Sequence, residues 1–76
     1  MSQISFLAFC IEFYADYKHL SGSQVYRCFA DNKLLDMLES DYNDLHGMSF
    51  EYLMQFFDKY LEAKNATISR FNNSDR

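Results

Sequence analysis

Proline is absent from the 76 residues, glycine occurs twice, tryptophan not at all, and cysteine only at Cys10 and Cys28. Each scarcity excludes something. Without proline nothing in the chain forbids helix from end to end, so breaks must come from caps and turn residues. Two glycines leave no material for a phosphate-cradling loop or a dinucleotide fingerprint. Two cysteines outside any C-x-x-C spacing offer neither a zinc cluster nor a redox pair, and they read as two small buried thiols in a reducing compartment. Histidine is limited to His19 and His46, too few and too far apart for a metal site. No metal and no cofactor are expected.

Basic charge is also scarce. Eleven acids face seven bases, for a net charge of −4, and between Lys33 and Lys59 there is no lysine or arginine. That segment carries Asp36, Glu39, Asp41, Asp44, Glu51 and Asp58. Such a surface repels nucleic acid and anionic membranes and attracts a basic protein. The most apolar stretch, residues 4–15, lacks a basic start and contains Glu12, so it does not read as a signal peptide. It is well short of the roughly 20 residues a membrane span requires. A cytoplasmic location is expected.

What the chain has is aromatic surface. Eight phenylalanines and six tyrosines recur mostly at helical spacing. The periodicity predicts an all-α, single-domain bundle of four helices at about residues 2–19, 22–31, 33–46 and 50–64, with residues 65–76 as a frayed or partly helical tail. Ile4, Leu7, Ile11, Tyr14 and Tyr17 mark the inner face of the first helix, widened by Phe6 and Cys10, with Ser5, Glu12 and Asp16 opposite. Ser21 and Gln24 are spaced as a capping box for the second helix. In the third, Leu34, Leu35, Leu38, Tyr42 and Leu45 form one stripe, and Gly47 stands where a left-handed cap would end it. Ser49 caps the fourth, whose inner residues are Phe50, Leu53, Phe57, Tyr60 and Leu61. Met54, Tyr52 and Phe56 broaden that helix's apolar arc beyond what one neighbour needs.

No catalytic constellation accompanies this surface. His46 reads as a cap on the last carbonyls of its helix. The pairs Glu12/Asp16 and Asp41/Asp44 read as solvated helix faces. The stretch from Asp41 to Gly47 fails as a calcium loop, because Leu45 stands at a ligand position and Tyr52 where the bidentate glutamate belongs.

The aromatic excess admits two readings: a small bundle wraps the first helix on most sides, or part of that surface is an interface, where Phe, Tyr and Met are enriched. Phe9 lies about 40° from the centre of the polar stripe of the first helix, and Phe13 lies next to it. A chain this short has a marginal core and commonly finishes burying itself against another chain. The residues read as partner-binding are therefore Phe9, Phe13, Tyr52 and Phe56, with Asp36 and Glu39 supplying charge alongside. Self-association as a structural homodimer is the alternative reading.

The run Phe9-Cys10-Ile11-Glu12-Phe13-Tyr14-Ala15, then Ser21-Gly22 with Val25-Tyr26, then Leu38, Tyr42 and Leu45-His46, and finally Asp58, Tyr60 and Leu61, resembles a family of small bacterial helical proteins of unknown function. Members are often encoded beside a protein resembling an ADP-ribosyltransferase toxin domain. The resemblance implies a bacterial cytoplasmic binding protein, an antitoxin or accessory subunit, with no catalytic residue to carry over.

Overall fold

A computed structural model describes residues 2–65. The expected tail, residues 65–76, lies outside them from residue 66 onward. All described regular structure is helical: α1 (Gln3–Lys18), α2 (Gly22–Asp31), α3 (Leu34–Ser40), α4 (Tyr42–Leu45) and α5 (Phe50–Ala63). The chain is thus an all-α bundle, with the third expected helix divided in two.

Serines set the starts. Ser2 accepts from the Ser5 amide at 3.1 Å, and Ser49 from the Tyr52 amide at 3.1 Å. Ser21 and Gln24 form the expected reciprocal box, at 3.1 Å and 2.9 Å. Each satisfies amides that the first turn of a helix leaves unpaired.

The stops differ from expectation. Neither glycine has a positive φ; among the described residues the left-handed ones are His19, Lys33 and Asn65. His19 ends α1 at φ 60°, and the amides of His19 and Leu20 return to the carbonyls of Asp16 and Ala15, the paired bonds of a Schellman turn. Leu20 then packs against the core. Gly47 is not a left-handed cap, because α4 leaves through His46 in right-handed conformation, and the Met48 amide donates to Leu45 within the following turn. The imidazole of His46 instead caps the helix, its Nδ1 lying 2.8 Å from the Tyr42 carbonyl oxygen and its ring stacked on that of Tyr42.

The break between α3 and α4 falls at Asp41, where φ −104° and ψ 18° leave the helical well. Ser40 and Asp41 are poor helix interiors, because their side chains compete for backbone groups. Ser40 Oγ accordingly donates to the Met37 carbonyl. The bend lets Tyr42 meet Phe6 edge-on at 5.5 Å.

The core joins all five elements: Phe6, Cys10, Tyr14 and Ala15 of α1, Val25 and Phe29 of α2, Leu34 and Leu38 of α3, Leu45 of α4, and Leu53, Met54, Phe57 and Leu61 of α5. On α1 the buried row is the four-residue ladder Phe6–Cys10–Tyr14. The inner face expected from Ile4, Leu7, Ile11 and Tyr17 is rotated: Ile4 is 80% and Tyr17 44% exposed, while Leu7 and Ile11 pack at the core's edge. Ile4 and Tyr17 occupy the terminal turns, where fewer neighbours cover the helix. Phe50, expected inside, is also exposed, having been carried past the core by its place in the first turn of α5.

Candidate docking surface

One face of α1 holds the fold together and the other faces solvent. On the inner face the Tyr14 hydroxyl donates to Asp58 Oδ1 of α5 at 2.6 Å, and Lys18 Nζ lies 3.1 Å from the same oxygen. The Lys18 ammonium also stands 6.0 Å from the Tyr14 ring centre and 5.8 Å from that of Tyr17. Burial, and then the hydrogen bond to Asp58, push the Tyr14 phenol well above its ordinary range. A phenol held protonated in this way is a structural donor, the opposite of an activated base. A second, half-buried link joins α5 to the α2–α3 corner, where the Tyr60 hydroxyl donates to the Asn32 carbonyl at 2.9 Å and the Asn32 side-chain amide donates to the Cys28 carbonyl.

The first of these links gives a graded expectation. Tyr14→Phe removes a buried hydrogen bond to a charged group and should cost roughly 1.5–3 kcal/mol. Lys18→Met removes only a partly exposed ion pair and should cost at most about 1 kcal/mol. Urea midpoints of the two variants provide the check. A larger loss for Lys18→Met would mean that charge, and not the hydroxyl, anchors α5 to α1.

On the outer side a row of rings climbs from the core to the surface. Phe6 is buried, Phe9 half-buried and Phe13 45% exposed, with ring centres 6.5 Å and then 4.6 Å apart. Phe50 of α5, 38% exposed, meets Phe13 edge-on at 5.7 Å. Glu12 and Asp16, one helical turn apart, line a shallow open depression beside Phe13. Both carboxylates are exposed, and neither has an ion-pair or hydrogen-bond partner among the described residues.

The other residues read from sequence as partner-binding lie elsewhere. Tyr52, 47% exposed, stacks on half-buried Phe56 at 6.1 Å. On α5, Phe56 and Asp58 point about 160° apart, so the Tyr52–Phe56 pair lies on the flank away from the side facing α1. Asp36 and Glu39 are exposed on α3. The structure therefore joins Phe9 to Phe13 and Tyr52 to Phe56, but does not merge them into one patch. Phe50 was missed because helical spacing places it on the inner stripe; its position directly after the Ser49 cap was the signal that it lies at the edge.

Among the described residues no group of three or more His, Cys, Asp or Glu side chains is placed to hold a metal ion. No helix among them is long and apolar enough to cross a membrane. Residues 5–64 match the model of the DUF3791 family, described as a protein of unknown function, and the chain belongs to that family. No curated protein and no solved structure matches it.

Proposed function

We propose that this member of the DUF3791 family is a non-enzymatic docking subunit that engages a protein partner through the ridge of Phe9, Phe13 and Phe50. The observation that carries the reading is the pair of exposed rings, Phe13 and Phe50, meeting edge-on at 5.7 Å across two helices. An isolated phenylalanine on a surface is ordinary, whereas clustered aromatic side chains are enriched at the buried centres of interfaces. Charge favours a hetero-partner over a second copy. The ridge is flanked by the uncompensated carboxylates of Glu12 and Asp16 on a chain of net charge −4. A like chain would bring acid against acid, whereas a basic partner is drawn in and oriented.

The resemblance to bacterial proteins encoded beside ADP-ribosyltransferase-like toxins supplies the partner class. The chain would act in the bacterial cytoplasm as an antitoxin or accessory subunit. The non-enzymatic part of the reading is supported by how its titratable groups are used. His46 caps a helix, Tyr14 is a buried donor, and the ring-flanking acids stand in solvent.

Co-expression with an ADP-ribosyltransferase-like protein of the same genome, followed by co-purification and light scattering, tests this. A hetero-complex should form, and the isolated chain should run as a monomer of 9.0 kDa. An isolated chain that forms a homodimer through the same rings and ignores the co-expressed protein would overturn the proposal.

A further inference from the structure

We infer that the partner contributes an arginine, set among apolar side chains, whose guanidinium lies over Phe13 between the carboxylates of Glu12 and Asp16; this rests on the docking reading above. Three features converge on that chemistry. Glu12 and Asp16 are four residues apart on one helix, where like charges repel, and neither has a cation beside it among the described residues. The cation nearest in sequence, Lys18, is held on Asp58 at 3.1 Å. Phe13 stands beside both carboxylates at 45% exposure, and the three side chains line one depression.

A planar guanidinium can satisfy such a site in two ways together. Its face stacks on the ring, and its forked donors reach carboxylate oxygens on either side. An ammonium has the charge without the plane, and a neutral side chain relieves no repulsion. Phe9 and Phe50, next to Phe13, offer apolar contact to the residues flanking the arginine. The partner segment is therefore basic at one position and apolar around it, rather than uniformly charged.

The probe is the capped tripeptide Leu-Arg-Leu, with Leu-citrulline-Leu as its neutral isostere, titrated into the whole chain and followed by two-dimensional NMR. The arginine peptide should shift the resonances of Glu12, Phe13, Asp16 and Phe50 saturably, and the citrulline peptide should bind at least tenfold more weakly. The Glu12→Gln, Asp16→Asn variant, helical by circular dichroism, should lose the same factor, whereas Asp36→Asn, Glu39→Gln should bind as the parent does. Equal binding of the two peptides, or shifts spread equally over α3, or an unchanged Glu12→Gln, Asp16→Asn variant would each overturn the inference. Because the probe needs no partner, failure here leaves the ring-mediated docking to be judged by co-purification.

Discussion

Phe57→Ala should remove a large share of the chain's stability and melt far below the parent. Phe57 is fully buried and is the ring on which the helices converge, meeting Tyr14 of α1 edge-on at 5.6 Å and Phe29 of α2 at 5.2 Å. Truncating a buried phenylalanine to alanine costs roughly 3–5 kcal/mol, through lost transfer energy and the cavity left behind. A chain of this length holds only about 4–11 kcal/mol in total. Phe57→Leu keeps most of the volume and should remain folded, with a loss under about 1.5 kcal/mol. Circular dichroism melts of both variants decide the matter. If Phe57→Ala melted within a few degrees of the parent, α5 could not be packed on this ring.

Raising the pH should be the second large destabiliser. Cys10 is 0% exposed, and burial pushes its thiol from 9.0 up to about 12. The unfolded chain releases this proton first. The stability contributed by the neutral thiol is therefore complete below pH 9 and is lost as pH rises towards 12. One pH unit corresponds to about 1.4 kcal/mol per group, so the loss reaches on the order of 4 kcal/mol near pH 12. Tyr14 is shifted in the same direction, by burial first and by Asp58 second, and adds to the loss above its ordinary range. Urea midpoints measured at intervals from pH 7.5 to 11 should fall increasingly steeply above pH 9. Cys10→Ala should flatten the first part of that slope; an unchanged slope would contradict the assignment.

The parts of this molecule written in local chemistry were legible from its sequence. Ser21 with Gln24, and Ser49, announce helix starts because their hydrogen bonds close within three residues. Leu38, Leu53 and Phe57 announce the core because they sit at the centre of their helices' apolar stripes, and all three are buried. Positions whose fate depends on where neighbouring helices end were not legible. Ile4, Tyr17 and Phe50 fall on apolar stripes yet lie near helix ends, where the neighbouring helices leave them exposed. The meeting of Tyr42 with Phe6, which the interruption at Asp41 permits, joins residues distant in sequence. At the candidate surface, the exposure of Phe13 followed from its place beside the polar stripe of α1. Its contact with Phe50 required the tertiary arrangement. Tyr52 and Phe56 paired as their four-residue spacing implies, but on a different flank from Phe9 and Phe13.

On the docking proposal, α1 is divided between an inner row, Phe6, Cys10 and Tyr14, that folds the chain and an outer row, Phe9 and Phe13, that binds. The most direct test is co-purification of the Phe9→Ser, Phe13→Ser variant with the ADP-ribosyltransferase-like protein, on material shown helical by circular dichroism. Parental helix content is expected, with the complex reduced at least tenfold. Undiminished complex from a well-folded variant would contradict the proposal, and so would a variant that loses its helices, because both rings would then belong to the core.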